Sequence, residues 1–235
     1  MTIEYLLKVE SEYHIGTGLE HPGVVDRTLV RRPDKTLVIP AEHFRGLVRD
    51  TCTQIIYWLN QNQDCCKASL VKGPRQGPRQ KDQVLETCGL NFRDEDNPCI
   101  LCRLFGTTFI PGRYQFFDNT SSEERKRKST HNRVEPAIGR TPEETFFSIE
   151  VGKEANFKGK IVRNGIQNNS QLFDDEIGLL LAGLRLVERV GSRSRRGWGQ
   201  CCVEITAIDG NIENVSEKVD ERMEKYLGIE GHCKK

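Results

Sequence analysis

The chain has 235 residues, 36% of them hydrophobic and 29% charged, and its 35 Lys and Arg stand against 34 Asp and Glu for a formal net charge of +1. That is enough chain for one large core or two small ones, and the near-neutral balance excludes a uniformly basic coat, so any basic surface must be local. No apolar run approaches the roughly 20 residues needed to cross a bilayer, so no membrane is expected as a partner. The opening Met-Thr-Ile-Glu-Tyr-Leu-Leu-Lys reads as a strand rather than a cleavable signal, and a cytoplasmic location is expected. Nine cysteines in that reducing compartment point to metal ligation or buried thiols before disulfides.

Taken in order, residues 3–10 alternate, with Ile3, Tyr5, Leu7 and Val9 on one side of a first strand. After the glycines of His14-Ile-Gly-Thr-Gly-Leu, residues 24–30 and 36–39 read as a β-hairpin whose polar tip is 31–35. Pro40 then opens a helix, where its missing N–H costs nothing, and Phe44, Leu47, Val48, Cys52, Ile55, Ile56 and Leu59 share one helical face. Arg45 and Arg49, four apart, share another face, either solvated or turned to a ligand.

From residue 61 to 103 regular patterning stops, and Gly73-Pro-Arg-Gln-Gly-Pro-Arg79 repeats a turn-forming tripeptide. The cysteines explain how so long an insertion holds a shape. Cys99-Ile-Leu-Cys102 has the C-x2-C spacing of a structural Zn²⁺ site, with Cys88 as a third ligand and Cys65 or Cys66 as the fourth. A structural metal would pin a segment with too few apolar residues to fold alone.

Residues 113–118 alternate as a strand, and 119–133 read as a polar, solvated loop that carries the basic run Arg125-Lys-Arg-Lys128. Residues 146–151 and 157–162 look like two more strands. A helix from about Gln171 buries Phe173, Ile177, Leu180, Leu181, Leu184 and Val187, with Asp174 and Asp175 near its positive N-terminus. The strand 201–208 follows a loop, and it accounts for Cys201 and Cys202 as small strand residues. The tail, with Asp220, Glu221, Glu224 and Lys225, reads as a short exposed helix, and Cys233 as a free thiol. This order predicts an α+β fold with a ferredoxin-like or RNA-recognition-motif-like βαββαβ core and long excursions.

The loop before the last strand, Gly191-Ser-Arg-Ser-Arg-Arg-Gly-Trp-Gly199, concentrates the chemistry. Arg193, Arg195 and Arg196 repel one another unless an anion lies over them, and guanidinium forks suit phosphate. Trp198 offers a face on which a base can stack. A solvated turn of structural glycines is the plainer reading of the same residues.

Four stretches together resemble the RAMP superfamily of CRISPR proteins. Leu37-Val-Ile-Pro-Ala-Glu-His-Phe-Arg-Gly-Leu-Val-Arg49 is similar to its Ile-Pro helix start, and Cys99-Ile-Leu-Cys-Arg-Leu-Phe-Gly106 to the C-x-x-C-R-L-F-G segment of type III backbone subunits. Residues 113–118 resemble the strand that follows, and residues 191–199 the C-terminal glycine-rich loop. One departure is Ala41-Glu42-His43, where the family usually has Gly-Ser-Ser, because Glu42 would repel a phosphate at that helix start.

The resemblance implies a single RAMP domain over 1–235 with a zinc-binding insertion at 61–103 and a thumb-like, duplex-facing region at 119–145. It implies binding of a CRISPR guide RNA and a target single-stranded RNA alongside other type III effector subunits, with Arg45, Arg49, Arg133, Arg193, Arg195 and Arg196 as RNA contacts. It also implies metal-dependent RNA cleavage, in which Asp26 takes the place of the family's catalytic aspartate and His131 is the next candidate. The reaction expected is attack by the target's own 2′-hydroxyl, with Mg²⁺ or another divalent cation neutralising charge. Three rival readings stand beside it: a non-catalytic guide-binding scaffold, a guide-processing endonuclease using His14 or His131 without metal, and a zinc-stabilised interaction module without nucleic acid.

Overall fold

The computed structural model describes residues 1–16, 27–59, 65, 88, 98–123, 125–132, 146–164, 170–212 and 215–227. In chain order these form β1 (Thr2–Val9), β2 (Leu37–Ile39), α1 (Ala41–Trp58), α2 (Ile100–Phe105), β3 (Tyr114–Phe116), β4 (Asn119–Ser121), β5 (Lys126–Asn132), β6 (Phe146–Gly152), β7 (Ala155–Arg163), α3 (Ser170–Arg185), β8 (Cys201–Ile208) and α4 (Val215–Leu227). The architecture is α+β.

The main sheet has the order β2-β4-β7-β1-β8, with β3 also paired to β7, and every pairing is antiparallel. Period-2 patterning explains its two faces. Ile3, Tyr5, Leu7 and Val9 of β1 are buried, as are Ala155, Phe157 and Ile161 of β7 and Cys201, Val203 and Ala207 of β8. They form one core with Phe44, Val48, Ile55 and Ile56 of α1 and Ile177, Leu180, Leu181 and Leu184 of α3. Each such large side chain, fully buried, contributes about 1.5–3 kcal/mol. The other face stays polar, with Lys8 paired to Glu204 at 2.6 Å.

Two glycines set close contacts within this core. Gly159 in β7 lies opposite Tyr5, and a Cβ there would fall 2.3 Å from the Tyr5 ring and 2.2 Å from Asn119 Oδ1. The space lets Tyr5 stack on Phe44 with ring centroids 5.3 Å apart. Gly183 lets α3 approach α1 closely, where Thr51 Oγ1 donates to the Gly183 carbonyl at 2.7 Å.

Several expectations are corrected. The polar stretch 119–133 is not one solvated loop: β4 and β5 lie within it, because each residue of β5 pairs in register with the apolar β6 from Lys126–Gly152 to Asn132–Phe146. β5 and β6 form their own two-stranded ribbon. Of the expected hairpin over 24–39, residues 24–26 lie outside the described ones; Arg31 bridges Leu37 antiparallel and the Val38 N–H donates to the Val30 carbonyl at 3.1 Å, as a hairpin requires, while Arg27 and Leu29 bridge Ile149 and Gly16 instead. The tail helix α4 is docked rather than exposed, with Val215 and Val219 buried and Lys225 paired to Asp174 of α3 at 2.8 Å. Its valines fall on one helical face, a period hidden among eight charged and polar neighbours.

Candidate nucleic-acid interface

Beyond α3, buried Val187 and Val190 tie the chain back to the core. The Val190 N–H donates to the Gly199 carbonyl at 2.8 Å, the Gly199 N–H to the Glu12 carbonyl at 2.7 Å, and the Cys201 N–H to the Glu188 carbonyl at 2.8 Å. Residues 191–198 are therefore a closed excursion with fixed ends. Gly191 has φ +80° and donates its N–H to His43 Nε2 at 3.2 Å, while a Cβ there would lie 2.6 Å from the His14 carbonyl. Gly199 has φ +72°, and a Cβ would lie 1.8 Å from the Val190 carbonyl. Both the left-handed backbone and the contact demand glycine. Arg193 adopts φ +63° without that freedom, at a cost of about 1–2 kcal/mol for an L-residue.

The strained arginine faces the ribbon. Arg193 Nη1 lies 2.8 Å from His131 Nε2, and its guanidinium sits over the Trp198 ring at 5.1 Å and the Phe147 ring at 5.9 Å. His131 packs on Phe147 with ring centroids 5.5 Å apart, and Ser129 Oγ is 3.2 Å from Nε2. Partial burial, then Arg193, Arg196 and Arg127, hold the His131 pKa below the usual histidine range. Loop and ribbon thus close one seat, aromatic-walled and positive.

The charges of this seat divide unequally. Arg127 is neutralised by Glu12, with Nε and Nη2 donating at 2.6 and 2.7 Å. Lys126 and Arg31 both reach Glu150, at 3.4 and 2.7 Å. Arg195 and Arg196 are exposed, and among the described residues neither has a carboxylate partner. A phosphate backbone supplies what these two guanidiniums lack, with direct charge-assisted hydrogen bonds.

The other expected contacts lie elsewhere. His43 points to the loop, so Arg45, two residues on and about 200° around the helix, faces another way. Arg45 donates to the Phe105 carbonyl and lines an open cleft of about 330 Å³ with Glu42, Tyr114, Gln115 and Asn164. Burial, then its helical neighbour Arg49, lowers the Arg45 pKa. The start of α1 holds no free amide for phosphate at Ala41, whose N–H donates to Asp118 Oδ1 at 3.0 Å. Asp26, Arg133 and Cys66 lie outside the described residues. The described neighbour Arg27 is bridged to β6, its N–H donating to the Ser148 carbonyl at 3.2 Å, and its charge acts on Arg193.

Sequence reasoning missed His43, Phe147 and Ser129 as parts of this seat. For Ser129 a signal exists, since Arg127, Ser129 and His131 alternate along one strand face. For His43 none does, because its partner is a backbone amide 148 residues away.

A second cluster sits at the start of α2. The sulfurs of Cys88, Cys99 and Cys102 all lie within 4.8 Å of one another. Tetrahedral thiolates around Zn²⁺ stand about 3.8 Å apart for bonds near 2.3 Å, so the donor set fits a soft metal ion. Cys65 is buried in the same core but outside this trio.

Beneath the cluster is a charged group that nothing in the sequence pattern announces. Glu176 of α3 is fully buried, and its Oε1 accepts from Arg103 Nε at 2.9 Å and Arg113 Nη1 at 2.7 Å, with Arg163 Nη2 3.6 Å from Oε2.

A family model described as the RAMP superfamily matches residues 6–202. No curated protein matches the chain. Among the described residues no helix is long and apolar enough to cross a membrane.

Proposed function

The chain belongs to the RAMP superfamily, which makes it a CRISPR-associated RNA-binding subunit, and from that premise we propose that it is a guide-gripping backbone subunit of a type III effector complex that cuts guide-paired target RNA. The observation carrying the RNA contact is the rigid loop that presents Arg195 and Arg196 without carboxylate partners beside Arg193, His131 and Trp198. The antiparallel strand order β8-β1-β7-β3 supports reading the core as ferredoxin-like, with α1 and α3 as the two crossover helices. The β5–β6 ribbon is the thumb-like element in this reading, and residues 61–103 the zinc-binding insertion.

Cys88, Cys99 and Cys102 hold the structural Zn²⁺ in this proposal, with Cys65 or Cys66 completing the set. A closed thiolate site has no open position, so the ion stabilises and does not react.

Cleavage is assigned to Asp26, with His131 as the second proton-handling group. The target's 2′-oxygen forms a bond to the adjacent phosphorus while the bond to the 5′-oxygen breaks. The 2′-hydroxyl proton passes to a base and the departing 5′-oxygen takes a proton, leaving a 2′,3′-cyclic phosphate and a 5′-hydroxyl. A divalent cation, Mg²⁺ in this reading, supplies charge neutralisation at the phosphate when bound. Support for Asp26 is its place in the family order and its covalent neighbour Arg27, which is bridged to the ribbon beside the seat.

The test is Asp26→Ala in the assembled ribonucleoprotein. The expected outcome is guide binding unchanged and target cutting reduced at least about a hundredfold, in line with loss of a proton-transfer group. Unchanged cutting by a homogeneous variant complex overturns the catalytic assignment and leaves a guide-binding scaffold.

A further inference from the structure

Arg193 lies over the His131 ring. Its Nη1 stands 2.8 Å from Nε2 and 3.5 Å from Nδ1, so the guanidinium meets both ring nitrogens and its positive charge opposes a second proton on the imidazole. Ser129 Oγ lies 3.2 Å from Nε2.

Among the described residues, the charged groups acting on this ring are cationic. Arg193 and Arg196 face it from the loop, and Arg127 from its own strand, the last already held by Glu12. Its aromatic neighbours are Phe147 of β6 and Trp198 of the loop. Among the described residues no carboxylate reaches it.

We propose that an RNA phosphate entering this seat takes Arg193 from His131 and that His131 then takes up one proton, so RNA binds more tightly as the pH falls. The exchange balances simply. Arg193 turns from the His131 ring to a phosphate oxygen, the ring gains one proton from solvent, and a ring N–H donates to the same phosphate. The phosphate also reverses the field at the ring, since its negative charge offsets the three arginines that oppose protonation. This inference rests on the reading of the loop as an RNA contact and adds to it a specific proton-linked position.

Linkage fixes the sign. The bound state carries the raised pKa, so the extra affinity is present at low pH and fades as the pH rises through the bound value. The probe is a fluorescein-labelled oligouridine, whose bases do not titrate near neutrality. Its dissociation constant is measured at constant ionic strength between about pH 8 and pH 6, for the wild-type chain and for His131→Gln, which stays polar but cannot charge. Wild-type affinity is expected to rise about three- to tenfold over that range, and the variant's to stay nearly flat. Equal slopes in the two proteins overturn the coupling while RNA binding stands. No binding by the wild type at either pH overturns the RNA-contact reading itself. As a second measure, the His131 ring resonances followed by NMR titrate at a higher midpoint with oligouridine than without it, and an unmoved midpoint also overturns the coupling.

Discussion

Arg103, one residue past the Cys99–Cys102 turn, donates its Nε–H to Glu176 at 2.9 Å, and the Glu176 side chain is sealed from solvent. Arg103 also donates to the Pro98 carbonyl at 2.7 Å. One guanidinium therefore ties the cysteine turn to the long core helix α3. Removing one member of a buried, paired set leaves the others charged and unmatched, a loss of about 3–5 kcal/mol. Glu176→Ala is expected to destabilise the chain by that amount, measured by urea unfolding. A loss below about 1 kcal/mol would show the arginines finding solvent or other partners.

The loop arginines should report through salt. Each phosphate contact contributes about 0.7 to the slope of log affinity against log salt for single strands. Arg195→Ala and Arg196→Ala are each expected to lower that slope by roughly this amount, with binding weakened evenly across RNA sequences. A slope identical to wild type in both variants means the loop is a solvated turn.

The cysteine trio makes a prediction about metal content. The purified chain should carry about one equivalent of zinc by elemental analysis, as a structural thiolate site requires. Cys99→Ser and Cys102→Ser should lose it and melt at a lower temperature, since binding free energy at such a site is folding free energy. A metal-free wild type with an unchanged melting point under chelation would leave the three as buried thiols.

Acid should weaken the fold through His14. Its ring is buried, and Nδ1 lies 2.7 Å from the Glu150 carbonyl. Burial lowers its pKa, against the raising effect of that carbonyl; burial does the same to His43. A histidine depressed in the folded state is stabilising above its unfolded value, about 6.5, and that contribution is lost as the pH falls toward the folded value. The urea midpoint of the wild type should therefore drop on acidification below about pH 6.5. His14→Asn, whose amide also donates to Glu150, should drop less.

The elements written in a strict period were legible. β1, α1, α3 and β8 carry alternating or helical apolar patterns, and the structure places Phe44, Val48, Ile177 and Leu180 where those patterns put them. Three of the four expected metal ligands, Cys88, Cys99 and Cys102, lie together, and Cys65 is outside that group. β5 was hidden because its outward residues are Lys126 and Lys128 and its partner is a distant strand, so local composition read as a loop. The Glu176 cluster was illegible for a different reason. Its arginines come from positions 103, 113 and 163, and no local rule foretells that a helix will bury a carboxylate among them.

Only Lys153 and Glu154 separate the ribbon from the central strand β7. At about 3.3 Å per residue, the seven residues of β6 make a lever of roughly 23 Å, and a 10° tilt at its root carries the far end about 4 Å. The root is clamped by Tyr13, which exchanges both backbone hydrogen bonds with Gly152 at 2.9 Å and lays its ring where a Gly152 Cβ would stand. A backbone pair with no charge thus anchors the root of the ribbon, and the Arg27 backbone, bonded to Ser148 and Glu150, holds it farther along.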